Sequence, residues 1–388
     1  MSGDAIQFGI DRLADSGSSW LQDARIGLLM NRASIDSRLR LSCDVVADVF
    51  PGQLKALFTP QHGLWGDAQA NMIETNHGWH DELSVPIYSL YSETRRPTDK
   101  MLADIDCLVV DLQDVGTRVY TYIWTLLECM RACADAGVAI VVLDRPNPIG
   151  GEIVEGPLLD EGYFSFVGGA TIPMRHGLTI GEMAGLFQSE FSIKVDLHVV
   201  PVVGWDVRQT FAEIDRHFIP PSPNLPTVLS ALVYPGQVLL EGANLSEGRG
   251  TTTPFEMIGA PFVVPERLLD QISQQELPGV RFLPVNFRPT FDKWAGELCG
   301  GVSIHVTDVG QFRSYRTTIA LIQAIQKLWP ADFAWLPPPY EYEIRKPPID
   351  IISGDRHLRE GASIDELCQV DCQAWRVRTE EFQLYPRE

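Results

Sequence analysis

Five short apolar runs in the first 150 residues, each closed by a polar or turn-forming cluster, constrain this 388-residue chain more than any other feature. They are RIGLLMN (Arg25 to Asn31), LKALFTP (Leu54 to Pro60), PIYSLY (Pro86 to Tyr91), CLVVDLQD (Cys107 to Asp114) and AIVVLDRPNP (Ala139 to Pro148). Their apolar character is nearly continuous rather than alternating, which is what a parallel strand buried on both faces requires. Between the last two, YTYIWTLLECMRACADAG places apolar residues at helical spacing and stops on Gly137, so the spacing predicts a βαβ unit. In open α/β sheets ligands bind beyond the carboxyl ends of the strands. Asn31, PQHG, QDVGTR and DRPNP should therefore converge on one edge as a candidate site.

The chain is too long for one ordinary core, since single cores stop growing near roughly 250 to 300 residues. The expected fold class is α/β: a parallel-sheet domain over residues 1–155 and a second mixed α/β domain over 156–388, divided where NPIGGEIVEGP turns rich in Gly and Pro. Into the second half fall a helix near TIGEMAGLFQSE, strands KVDLHVVPV and GGVSIHVTD, a long polar loop LLEGANLSEGRGTTTPFE and a helix YRTTIALIQAIQKLW. No GxGxxG follows the first run, so a dinucleotide reading loses its main support and no cofactor is expected.

A formal charge of −20 repels phosphate backbones and anionic lipid surfaces, so neither nucleic acid nor membrane is an expected partner. Seven cysteines, an odd number, suit reduced thiols; Cys129/Cys133 and Cys368/Cys372 each supply only half a zinc site, and no metal is expected. The N-terminal MSGDAIQFGIDRLADSG has acidic residues and no apolar core of a signal peptide, and no run approaches the roughly 18 apolar residues of a membrane span. The expectation is a cytoplasmic protein.

The polar clusters carry the candidate chemistry. EGANLSEGRGTTTPFE gathers Glu241, Asn244, Glu247 and Arg249 among glycines that let backbone approach a ligand; the plainer alternative is a solvated loop. DLQDVGTRVYTY offers Asp111, Asp114, Arg118 and Tyr120, although both aspartates could merely cap the following helix. DRPNP brings Asp144, and RHGLT brings Arg175 and His176. There is no GxSxG elbow and no HExxH helix. Carboxylates, amides, arginines and aromatics at loops suit a carbohydrate ligand and glycoside hydrolysis, in which one carboxyl gives a proton and a second group stabilises positive charge or activates water. With amino sugars the substrate's own acetamide can act as nucleophile.

Eight motifs in order carry a resemblance: GLLMNRASID, LFTPQHGLWGDAQA, VVDLQDVGTRVYTYIWTL, VLDRPNPIGG, VEGPLLDEGYFSFVG, PMRHGLTIGEMA, PPSPNLP and LLEGANLSEGRGTTTPFEMIGAP. From about FGIDRL to the C-terminus the chain resembles the exo-β-N-acetylmuramidase family of peptidoglycan hexosaminidases, the NamZ-like proteins. The resemblance implies a Rossmann-like domain, a second domain, a substrate cleft between them, and removal of terminal N-acetylmuramic acid from cell-wall fragments, here during peptidoglycan recycling. One arginine, Arg249, Arg118 or Arg175, would hold the lactyl carboxylate.

One position departs from the family pattern. Where that pattern reads Pro-Glu-His-Gly this chain reads Pro-Gln-His-Gly, so Gln61 stands in place of a catalytic glutamate. A glutamine transfers no proton at neutral pH. The acid role passes to Glu74 or Asp67, or to Glu247, or hydrolysis is altered or lost in this branch. The expected catalytic set is Glu247 as proton donor with a raised pKa, together with Glu74, His62 and Asp111. Expected to bind substrate are Gln61, Asp114, Arg118, Tyr120, Asp144, Arg175, His176, Asn224, Glu241, Asn244 and Arg249.

Overall fold

A computed structural model describes residues 5–13, 20–69, 74–340 and 342–387. Six strands come first: β1 (Ile26–Met30), β2 (Leu54–Thr59), β3 (Gly78–His80), β4 (Val85–Ser89), β5 (Cys107–Asp111) and β6 (Ala139–Leu143). A ribbon of β7 (Glu155–Leu158) and β8 (Pro173–Arg175) follows, then β9 (Leu197–Val200). The last three, β10 (Met257–Ala260), β11 (Val280–Phe287) and β12 (Cys299–Val306), form an antiparallel sheet in the order β10-β12-β11.

The large sheet runs β3-β4-β2-β1-β5-β6-β9 and is parallel except at β3. Without β3, its parallel strands stand in the spatial order 3-2-1-4-5-6 of a doubly wound dinucleotide fold. All five residues of β1 and of β5 are buried, as their unbroken apolar sequence requires. Successive residues serve opposite faces: Leu28 and Met30 join one core, Leu29 the other. Helix Tyr122–Ala136 ends on Gly137 at φ 69°, and helix Ile180–Glu190 starts with a capping box between Thr179 and Glu182. The expected division at 155 lies before β9, which nonetheless completes the large sheet beside β6.

One of the two cores runs on without interruption into the second half, through helices Val228–Gln237 and Ser314–Leu328. The halves are also stapled by Arg118. Its Nη1 donates to the carbonyls of Pro157 (2.9 Å) and Ile172 (3.0 Å), and its Nη2 to those of Ile352 (3.0 Å) and Ser353 (2.8 Å). Cys129 and Cys133, on one face of their helix, are packed into this core.

Candidate active site

The crevice between β1 and β5, where a doubly wound sheet usually takes its ligand, is filled by the protein itself. Asn31, just past β1, donates through Nδ2 to the Tyr122 hydroxyl (2.6 Å) and to the Pro221 carbonyl (3.1 Å). Asp111, the last residue of β5, is fully buried and takes both arms of Arg145, at 2.5 and 2.8 Å, with the Ser42 hydroxyl as a further donor. The hollow open to ligand is displaced toward β2 and lies between the two halves.

That cleft, a narrow cavity of about 30 Å³, is walled on one side by Gln61, His62, Val119, Tyr120 and Thr121. Facing them are Ser222, Asn224, Tyr234, Glu241, Arg249, Phe255 and Tyr340. Gln61 and His62 arrive because β2 ends in a tight turn in which His62, Gly63 and Gly66 all have positive φ (73°, 73° and 66°). Gly66, at a φ of 66°, holds a left-handed conformation that favours glycine. A left-handed histidine is costly, and strain of this kind collects at functional positions. Tyr120, Tyr234 and Phe255 meet edge to face, at 6.2 and 4.9 Å between centroids, and make an aromatic wall of the kind sugars pack against.

The Thr121 hydroxyl donates to Gln61 Oε1 at 2.7 Å, so the amide nitrogen of Gln61 is left to serve the cleft as a donor. His62 Nδ1 lies 2.7 Å from the Ala68 carbonyl, which can only accept, so the proton sits on Nδ1 and Nε2 carries the lone pair. Burial, helped by the charge of Arg249, lowers the His62 pKa to about 4 against the Ala68 bond. The ring is therefore neutral near pH 7 and acts as an acceptor or base, not as a cation.

The sign of the linkage follows. With a folded pKa near 4 and an ordinary value of 6.5, the unfolded chain binds the extra proton first, and the His62 contribution to stability is lost as pH falls between these values. Wild type is expected to lose on the order of 3 kcal/mol more than His62→Gln between pH 6.5 and 4 in urea unfolding. Parallel pH dependences in the two proteins would refute this assignment.

Across the cleft Arg249 is the hub of a charge cluster. Its Nη1 donates to Glu247 Oε1 at 2.8 Å, its Nη2 donates to Glu241, and the Tyr340 hydroxyl donates to Glu241 Oε2 at 2.7 Å. Lys293 Nζ stands 2.7 Å from Glu247 Oε2. Burial alone would raise the Glu247 pKa, but Lys293 and Arg249 outweigh it and hold the carboxyl below its ordinary value. Glu247 is thus an anion behind Arg249, the reverse of the raised, protonated donor expected from the sequence. The nearby Asp292, 3.9 Å from Arg249 Nη1, is pushed up, first by burial and then by the charge of Glu247. Its loop is pinned by Gly250, where a Cβ would come within 2.7 Å of the Phe291 nitrogen.

Of the residues singled out in the sequence, Gln61, His62, Tyr120, Asn224, Glu241 and Arg249 meet in this cleft. The others lie elsewhere. Glu74 is exposed, 3.8 Å from Arg95, and with Asp67 lines an adjoining groove. Asp111 is locked to Arg145, and Asp114 accepts from the Gly116 nitrogen with His176 Nε2 3.5 Å away, both buried. Asp144 accepts from Thr179, the Gly181 nitrogen and Tyr385 at the start of helix Ile180–Glu190; burial pushes it up to about 6 despite those bonds. Arg175 pairs with Glu155 at 3.0 Å and donates to the Ile149 carbonyl. Asn244 is tied to the Asp332 carbonyl and the Ala334 nitrogen.

Arg118 and Arg175 are therefore spent on backbone and on Glu155, with no route to a lactyl carboxylate. Arg249 alone of the three borders the cleft, and both of its Nη groups are engaged. Sequence reasoning passed over Thr121, Ser222, Tyr234, Phe255, Tyr340 and Asp292. Ser222 sits beside Asn224 in PPSPNLP, a turn signal, and Tyr340 follows three prolines; Tyr234 and Phe255 look in sequence like ordinary core aromatics.

Comparison with known proteins bears on the same residues. The model for the N-terminal part of exo-β-N-acetylmuramidase NamZ matches residues 26–229, and that for its C-terminal part matches 232–385. The peptidoglycan β-N-acetylmuramidase NamZ of Bacillus subtilis (strain 168) is 46% identical over 331 residues, which cover 85% of this chain and 80% of that protein. Two crystal structures of DUF1343 family proteins from Bacteroides fragilis NCTC 9343 share the fold. One has a TM-score of 0.88 at 33% identity over 98% of this chain and 99% of its own; the other has 0.76 at 28% over 99% of each. Both halves, the cleft between them and the loops that line it thus fall within matched segments, and the chain belongs to the NamZ family of exo-β-N-acetylmuramidases.

Proposed function

We propose that this protein is a glycoside hydrolase that releases terminal N-acetylmuramic acid from peptidoglycan-derived fragments, with the sugar seated between Gln61, His62 and Tyr120 on one side and Asn224, Glu241 and Arg249 on the other. The observation that carries the reading is that six residues from four of the eight shared motifs, far apart in sequence, line one cleft. A division between 229 and 232, later than the one expected at 155, is supported by the limits of the two family models.

In this cleft Gln61 hydrogen-bonds the glycosidic oxygen through its amide hydrogens, and the departing oxygen takes its proton from water. His62 Nε2 accepts from a sugar hydroxyl or from the acetamide N–H, which would align the acetamide for attack. Glu241, held by Arg249 and Tyr340, faces the positive charge that develops at the anomeric carbon. The test is the release of free N-acetylmuramic acid from a disaccharide fragment, followed by chromatography. Glu241→Gln is expected to lower kcat on the order of 100-fold while the fold survives; a near-normal rate would remove Glu241 from the chemistry.

Gln61 also favours a second reading, a protein that binds muramic sugars and does not cleave them. Calorimetric binding with no product after long incubation would select it. The finer placement, cytoplasmic work on imported fragments during recycling, is supported by seven free cysteines, five of them buried, which suit a reducing compartment. Among the described residues no helix is long and apolar enough to cross a membrane.

A further inference from the structure

The cleft is too narrow for a sugar. Its cavity of about 30 Å³ admits a water or two, whereas sites for small molecules usually run to roughly 300 Å³ or more. Part of its wall must therefore move before a ligand can enter. Tyr340 belongs to the stretch of that wall least tied to the fold, PPPYEYEIRKPP (residues 337–348), whose prolines withhold backbone donors. Tyr340 and Glu343 exchange both backbone hydrogen bonds, at 2.9 and 3.0 Å, and so close a tight turn. Among the described residues, no backbone-to-backbone hydrogen bond joins 337–346 to the rest of the chain.

Side chains make the attachments instead. The Tyr340 hydroxyl donates to Glu241 in the cleft, and Lys346 Nζ donates to the Gly162 carbonyl. Tyr342 crosses to the N-terminal half, with its ring 5.0 Å from the Arg95 guanidinium and 6.0 Å, edge to face, from the ring of Phe166. Arg95 lies in turn 4.0 Å over the Tyr91 ring, and Phe166 precedes Val167, which lines the cleft.

We infer that this segment is a strap that closes the cleft, latched by Tyr342 on Arg95 and Phe166, and that it lifts to admit the sugar. The inference rests on the sugar-binding reading of the cleft and extends it to how the ligand enters. Because one turn holds Tyr340 and Tyr342, release of Tyr342 withdraws Tyr340 from the wall. The latch is built to let go. Tyr342 is already 52% exposed, so its departure uncovers little apolar area. Arg95 Nε and Nη2 are inaccessible and have no hydrogen-bond partner among the described residues, with Glu74 Oε1 3.8 Å from Nη2. Opening brings water to these two donors, which offsets the loss of the cation–π contact.

The experiment is stopped-flow tryptophan fluorescence of wild type, Tyr342→Ala and Tyr342→Phe mixed with N-acetylmuramic acid. Since the strap must lift first, the observed rate in wild type should level off at high sugar concentration, at the rate of opening. Tyr342→Ala should raise that plateau about tenfold. Tyr342→Phe, which keeps a ring on Arg95, should leave it near the wild-type value. A wild-type rate that climbs linearly with sugar, or equal plateaus in wild type and Tyr342→Ala, would overturn the strap and leave the cleft reading standing. Failure of wild type to bind the sugar would overturn both.

Discussion

Gln61→Glu is expected to raise kcat on an N-acetylmuramide with a poor leaving group by on the order of 100-fold or more. The Thr121 hydroxyl already donates to Oε1 of Gln61 at 2.7 Å. A glutamate in the same rotamer would keep that bond on one carboxylate oxygen and turn the other toward the cleft where the amide nitrogen now stands. The neutral His62 beside it adds no positive charge that would favour ionisation of the new carboxyl. A positioned acid typically contributes 10²- to 10⁴-fold, and the larger part of that range applies when the leaving oxygen is poor. The pH profile should also gain a limb at alkaline pH, because the new carboxyl must be protonated to act as an acid. An unchanged rate and profile would mean that the proton comes from elsewhere in this cleft and that the amide is no handicap.

Asp111→Asn should cost about 3 to 5 kcal/mol of stability and leave kcat/KM per folded molecule unchanged. Asp111 and Arg145 are both essentially inaccessible, with 0% and 2% side-chain exposure, and bonded through two nitrogens. An amide in place of the carboxylate leaves the guanidinium charged in a region of low dielectric with nothing to balance it. Urea unfolding monitored by tryptophan fluorescence measures the loss. Replacing both partners by apolar residues, Asp111→Leu with Arg145→Met, should recover part of it, since the isolated charge is then gone. A large fall in activity without loss of stability would return Asp111 to the chemistry, the role its position at a strand end suggests.

These two residues show where sequence legibility stops. Asn31, Gln61, Asp111 and Asp144 all stand at or just past the ends of parallel strands, and their alignment along one edge of the sheet follows from the strand pattern alone. Which of them faces solvent does not. Asp111 met an arginine 34 residues further on, Asp144 met the first turn of a helix, and Asn31 met a tyrosine hydroxyl 91 residues away. Each polar group at a strand end is captured by whatever donor the fold brings near, because a buried polar group left unpaired is expensive. The loop Leu239–Glu256 shows the same thing in reverse. Its composition is that of a solvated segment, yet Glu247 and Arg249 within it are buried in mutual pairing with Glu241 and Lys293.

The amino-acid sequence by itself determined the parallel sheet, the helices that cover it, the division into two halves of one chain, and the family, since periodicity and ordered motifs are local and survive in one dimension. It also placed Gln61 and His62 just past the carboxyl end of β2. The tertiary structure decided which carboxyls remain available. Whether Glu247 is an acid or a buried anion depends on Lys293, 46 positions away in the chain and 2.7 Å away in space. Charge state is set by distance and desolvation, and neither is a property of sequence neighbours.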